Sequence, residues 1–347
     1  MVATTNKENA TRNYIKNWFW NPTERRVRAG WRILLHLFLL VLLVLPISLL
    51  YSLFVEQVVR PLGGHLLFVR LAIRLIESSL TWIGIIVSLM LAGRFLDRRA
   101  FKDFGFALDR RWWQDLGFGL LLGALLMTGV YGVEIALGWV TPTGFFETNS
   151  TTFAAGIWLY IGLFIAVGIQ EEVLTRGYWL RNIAEGFNFR HVGPKSALLI
   201  SYVISSAVFG LLHLGNPNAT WVSTVNLMLA GLMLGLPYVL TGQLALPIGL
   251  HITWNFFQGN VFGFPVSGSI PGTSYIAIQQ TGPELWTGGA FGPEAGLIGL
   301  LTMLIGAGLI WVWLKLTHAT IGWQIALASY AAPIVSEPET PLAGTLT

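Results

Sequence analysis

Glu171, Glu172 and Arg176 lie inside a long apolar run, and so do His213, four residues after Phe209, and His251, four residues before Asn255. On a helix, a spacing of four places two side chains on one face. An ionisable group in hydrocarbon costs roughly 2.5–3.5 kcal/mol on the lenient insertion scale. A chain that places two Glu, an Arg and two His in such runs is expected to use them. Adjacent helix residues point about 100° apart, so Glu171 and Glu172 have different tasks. Glu172 reaches Arg176 one turn on, as a buried structural pair. Glu171 is left to face a cavity, where a carboxylate suits general-base work. His251 and Asn255 are donors on one face and suit stabilisation of a developing oxyanion. Two His and a Glu also resemble a zinc set. No HExxH spacing is present and the ligands would come from three helices, so a divalent metal stays open beside a bare carboxylate. The bland alternative is a structural cluster that packs helices together, with His213 as an interhelical hydrogen-bonding residue.

Other chemistries find less support. The chain has no cysteine, which removes disulfides, thiolate metal sites and a Cys nucleophile. There is no GxSxG, Walker or Rossmann pattern. Ser201, Ser205 and Ser206 precede Phe209 on one helix and are expected to bond to backbone or to a neighbouring helix. His36 reads as packing, His65 and His191 as loop residues, and His318 as interfacial.

The elements that must position these residues are membrane helices. Of 347 residues 54% are hydrophobic and only 11% charged, with mean hydropathy +0.64; soluble domains carry roughly 25% charged residues. The expected fold is an all-α polytopic bundle of about eight transmembrane helices, at about 31–55, 72–94, 115–140, 154–181, 197–214, 221–241, 244–262 and 295–317. In domain terms, 1–30 is an N-terminal tail, 31–140 holds the N-terminal spans, 150–262 is the core with the polar residues, 263–294 is an external loop, 295–318 is the last span and 319–347 a second tail, with 333–347 expected to be disordered. Residues 99–115 fit a short interfacial helix or an ordinary loop equally well. No cleavable signal is expected, since residues 1–26 are polar and basic and the first apolar run is too long for one.

The charges fix a direction. Lys7, Arg12, Lys16, Arg25, Arg26 and Arg28 precede the first span, Arg98, Arg99, Lys102, Arg110 and Arg111 follow the second, and Arg181, Arg190 and Lys195 follow the fourth, whereas 141–153 and 259–294 hold no Lys or Arg. The positive-inside rule then puts both termini in the cytoplasm, in a plasma (inner) membrane. A net charge of +4 gathered at helix ends is a topology signal and no nucleic-acid footprint. At 1.5 Å per residue, Glu171 lies about 15 Å and His251 about 10 Å inside the basic face, with His213 deeper at about 27 Å. A cavity open to the cytoplasm is the expected meeting place.

Glu171-Glu172-Val-Leu-Thr-Arg176, Phe209-Gly-Leu-Leu-His213 and His251-Ile-Thr-Trp-Asn255, in that order, resemble the CPBP family, the CAAX-prenyl-protease and bacteriocin-processing (Abi) intramembrane endopeptidases, with motifs EExxxR, FxxxH and HxxxN/D. The likeness covers roughly 150–262. Thr175 stands where many members carry an aromatic. The resemblance implies that Glu171 and His213 activate a water for attack on a peptide carbonyl, that His251 and Asn255 form the oxyanion hole, and that Glu172, Arg176 and Phe209 support them. The family has also been described as metal-dependent. The implied activity is cleavage of a membrane-anchored protein or peptide reaching the site from the cytoplasm or laterally. Two other classes remain: a non-proteolytic immunity factor or scaffold, and a transporter, since intramembrane carboxylates also mark ion paths.

Overall fold

The structure, a computed structural model, describes residues 17–61, 80–149 and 152–330. The expected tail 333–347 and the first part of the second span lie outside them. Among the described residues, seven helices are long and apolar enough to cross a membrane: Ala29–Val59, Leu80–Asp97, Arg110–Ala136, Phe153–Phe187, Gly193–Leu212, Trp221–Thr241 and Leu297–Thr317. They are α1 (Ala29–Phe54, extended by a π turn), α2 (Leu80–Asp97), α3 (Arg110–Ala136), α4 (Phe153–Glu172) running through a π-helical stretch at Val173–Leu180 into α5 (Arg181–Phe187), then α6 (Gly193–Leu212) and α7 (Trp221–Thr241). Helix α8 (Ala245–Phe256) and its π turn to Val261 come next, and α9 (Leu297–Thr317) is the last. The all-α polytopic expectation holds.

The run at 244–262 is helical over nearly the expected bounds, its 12 α-helical residues continuing through a five-residue π turn to Val261. It begins inside the protein: Leu244 through His251 are all buried, and the Leu244 N–H donates to the Gly105 carbonyl. A helix buried on all sides is apolar all round, so composition alone does not separate it from a full membrane span.

Local signals explain most boundaries. Asp109 caps α3 by accepting from the Trp112 N–H at 2.8 Å, Thr152 caps α4, and Thr220 with Ser223 forms a reciprocal cap on α7. Gly242, with φ +71°, ends α7 in the left-handed conformation that glycine adopts without penalty. Residues 99–115 make no interfacial helix: a 3-10 turn at Phe101–Phe104 leads directly into α3. Trp112 is buried and donates to the Gly105 carbonyl at 2.9 Å, while Trp113 stays exposed.

Close helix contacts run through glycine. A Cβ on Gly123 would come within 2.5 Å of the Leu250 carbonyl, and one on Gly249 within 2.4 Å of the Leu116 carbonyl, so α3 and α8 touch backbone to backbone. Gly210 and Gly231 do the same between α6 and α7. Small residues permit this approach where lipid supplies no hydrophobic drive between helices.

The two ends of the bundle are built differently. At the basic end, Arg26 in a short hairpin (β1, Trp20–Asn21; β2, Arg26–Val27), Arg32 on α1 and Arg99 after α2 converge on Glu185 of α5, at 2.6, 2.6 and 2.5 Å, and Arg32 also meets Asp97 at 3.2 Å. At the opposite end the expected loops contain an antiparallel sheet: β3 (Val140–Thr148) pairs with β4 (Thr273–Gln280). Ser-, Pro- and Gly-rich flanks hid β4, although its Thr-Ser-Tyr-Ile-Ala-Ile core carries strand-forming residues.

Candidate functional site

Glu171 and Glu172 sit at the last turn of α4, where it passes into the π-helical stretch. The Glu172 side chain is fully buried, whereas that of Glu171 is 28% exposed. Glu172 Oε1 accepts from Arg176 Nη1 at 3.0 Å and from His251 Nδ1 at 2.9 Å. The Arg176 guanidinium also donates to the Gly231 carbonyl at 3.1 Å and to Thr175 Oγ1 at 2.8 Å, and it lies over the Phe209 ring, 4.4 Å from its centre. Glu172 and Arg176 thus tie α4, α7 and α8 together, leaving Glu171 to turn elsewhere. Thr175, at the position where an aromatic is common, bonds back to the Glu171 carbonyl.

Both histidines have a fixed hydrogen-bonding nitrogen. His251 spends Nδ1–H on Glu172, which leaves Nε2 pointing toward Glu171, 3.9 Å from Oε2. His213 caps α6, and its Nδ1–H donates to the Phe209 carbonyl at 2.7 Å, so the proton sits on Nδ1 and Nε2 carries the lone pair. Phe209 lies between the two rings, at 4.9 Å from His213 and 6.1 Å from His251. A cavity of about 330 Å³ is lined at once by Glu171, His213, His251 and Asn255. The structure therefore gathers all four residues singled out as catalytic candidates around one space, with Phe209 in its wall and Glu172 and Arg176 behind it.

The cavity reaches from the middle of the bundle to the sheet end. Glu171 is 14 residues before Glu185 on one continuous helix, roughly 21 Å along it at 1.5 Å per residue. Asn216, Val266 and Ser267, from the segments at the sheet end, complete the wall. His213, deeper along its helix than Glu171 and His251 along theirs, borders the same cavity.

A metal does not fit these residues as they stand. Among the described residues no three His, Asp or Glu side chains converge as a metal-holding group, and Glu172, the second carboxylate at hand, is already held by Arg176 and His251. The chemistry below runs through side chains alone.

Sequence reasoning missed Glu294, Gln258 and Ser267, which border a smaller chamber together with His213, His251 and Asn255 or pin its wall. Gln258 carried a signal, since it lies three residues past Asn255 and so on a neighbouring face. Glu294, between Pro293 and Ala295 in an apparent loop, carried none.

Fold and site together define a polytopic helical membrane protein with a cavity inside the helix bundle that is bordered by ionisable side chains. Residues 153–257 match the family model described as type II CAAX prenyl endopeptidase Rce1-like. That match bears out the resemblance to the CPBP intramembrane proteases over just under a third of the chain, from the start of α4 to just past Asn255. The comparisons with curated proteins and with solved structures each returned no match.

Proposed function

We propose that this protein is an intramembrane endopeptidase, CAAX-protease-like, that hydrolyses a peptide bond of a membrane-anchored protein or peptide. The observation that carries the reading is the single cavity bordered by Glu171, His213, His251 and Asn255 while Glu172 is engaged elsewhere. Glu171, with the free His213 Nε2 beside the same space, takes a proton from water as the water oxygen bonds to the carbonyl carbon. The carbonyl oxygen gathers negative charge at Asn255 and at a protonated His251 Nε2. Collapse restores the carbonyl, breaks the C–N bond and passes the proton to the departing amine.

Both termini are assigned to the cytoplasm of a plasma (inner) membrane on the positive-inside rule. The cavity reaches from the middle of the bundle, where Glu171 is 18 residues past Phe153 and 16 before Phe187, to the segments at the sheet end. The substrate reaches it from the cytoplasmic side or laterally from the bilayer. The partners are the substrate and the lipid bilayer, with no nucleic acid.

The test is cleavage of a panel of membrane-anchored peptides, one of them a farnesylated CaaX peptide, by purified protein in detergent. Wild type and Glu171→Ala run side by side, each with and without a chelator. Cleavage by wild type that is lost in the variant and insensitive to chelator supports the reading. Cleavage that survives Glu171→Ala sinks it, and loss to chelator alone replaces the bare carboxylate with a metal. No cleavage of any peptide moves the weight to a scaffold or immunity role.

A further inference from the structure

A tight hairpin turn roofs the cavity at the sheet end. Val266 and Ser269 exchange both backbone hydrogen bonds, at 2.8 and 2.9 Å, and the two residues between them, Ser267 and Gly268, have φ of +46° and +84°. Two positive φ values in a two-residue turn are the signature of a type I′ hairpin. For Ser267 that conformation is uncommon and needs support from its surroundings.

The support comes from two sides. The Ser267 N–H donates to Glu294 Oε1, and the other carboxylate oxygen accepts from Gln258 Nε2, which also donates to the Pro265 carbonyl. On the other side, Asn216 Nδ2 donates to the Ser267 carbonyl at 3.1 Å and Asn218 Nδ2 to the Gly268 carbonyl at 3.3 Å. Asn216 and Asn218 belong to the turn that follows His213, and the Asn216 N–H bonds to the His213 carbonyl at 3.1 Å. Contact is so close that a Cβ on Gly268 would sit 1.7 Å from the Pro217 carbonyl oxygen. Ser267 borders both the catalytic cavity and a chamber of about 40 Å³ behind it, and Glu294 borders that chamber with His213, His251 and Asn255.

We propose that Glu294 is a positioning residue: by anchoring the Ser267–Gly268 turn it clamps the 214–218 turn and so sets His213 against the cavity. This rests on the catalytic reading above and extends it beyond the matched segment, which ends at residue 257. An almost fully buried carboxyl, 3% exposed, is expensive to keep unless its position is needed. Burial pushes the Glu294 carboxyl up to about 7 despite the hydrogen bonds it accepts. Its two oxygens take donors from Gln258 on the extension of α8 and from Ser267 on the hairpin. The titratable groups bordering its chamber are His213 and His251.

The test uses the full chain in detergent with Glu294→Ala, Glu294→Gln and Gly268→Ala. Glu294→Gln keeps one acceptor oxygen for Ser267, and Gly268→Ala forces the turn off Pro217 while leaving Glu294 in place. Backbone hydrogen exchange is measured over 263–272 and 213–219, and kcat and KM on whichever peptide of the panel wild type cleaves. Exchange should rise at least about tenfold in both segments in Glu294→Ala and Gly268→Ala and less in Glu294→Gln, with the spans unchanged. A misplacement of about 1 Å costs on the order of 10²-fold, so kcat should fall by about that factor with KM within about threefold. Unchanged exchange at 213–219, or a lower melting temperature with kcat intact, overturns the proposal. If wild type cleaves nothing, the catalytic reading fails by itself, and exchange at 213–219 still decides whether Glu294 holds the His213 turn.

Discussion

Two polar clusters stand in this bundle, built from nearly the same residue types and put to opposite ends. In the clasp at the basic end, Arg26, Arg32 and Arg99 close around Asp97 and Glu185, every side chain is at most 5% exposed, and the carboxylates face guanidinium groups on several sides. The Tyr330 ring lies 3.6 Å from Arg26 and completes the enclosure. Around the cavity only half of the cluster is closed. Glu172 Oε1 is held by Arg176 and His251 Nδ1, while Glu171, 3.9 Å from His251 Nε2, borders open space with His213 and Asn255. Close pairing makes a buried charge structural; a neighbour that is only loosely paired and lies beside room for water is available for chemistry. The paired half holds the open half in place.

The sharpest way to break the comparison is to remove one carboxylate from each cluster. Glu171→Ala should cut peptide cleavage by about 10²–10⁴-fold, the usual worth of a general base, with the melting temperature unchanged. Glu185→Ala should do the reverse. It leaves three buried guanidinium groups sharing Asp97, with Glu24 on Arg26, at up to about 3–5 kcal/mol, so the melting temperature falls sharply while the turnover of the molecules still folded is kept. Asn255→Ala sharpens the reading of the open half: a lost oxyanion donor should lower kcat by about 10²–10³-fold, with KM little changed.

Two smaller effects follow. The Glu294 carboxyl is raised from 4.5 to about 7 by burial, so the folded state holds this proton more tightly than the unfolded one. Its contribution to stability is present in full below about pH 4.5 and is lost as pH rises through 7, by at most roughly 3 kcal/mol. The difference in melting temperature between wild type and Glu294→Gln should therefore change across pH 4.5–7 and level off outside it; a difference flat in pH would contradict the assignment. Gly249→Ala presses a methyl group on the Leu116 carbonyl of α3 and should cost about 1–3 kcal/mol by overpacking, read as a lower melting temperature with a modest loss of activity.

Much of the open cluster was legible in the sequence because its logic is local. Spacings of four put Glu172 with Arg176, Phe209 with His213 and His251 with Asn255 on shared faces, and ionisable residues in apolar runs are conspicuous. The clasp was not legible. Arg26 and Arg99 look like any basic residue at a helix end, and Glu185 like any polar residue after a span; their pairing joins positions more than 80 residues apart in the case of Arg99 and about 160 in that of Arg26. Glu294 was hidden in the same way, because its partners at 258 and 267 come from separate segments.

The most direct measurement is the cleavage of membrane-anchored peptides by Glu171→Gln against wild type, at matched folded concentration. The amide keeps the size of the side chain and the shape of the cavity and removes only the base. A glutamate-activated water requires that the wild-type enzyme cut at least one peptide and that the variant lose that cleavage by about 10²-fold or more. Equal rates in the two proteins would show that Glu171 is no base and that the open half of the cluster serves something other than peptide hydrolysis.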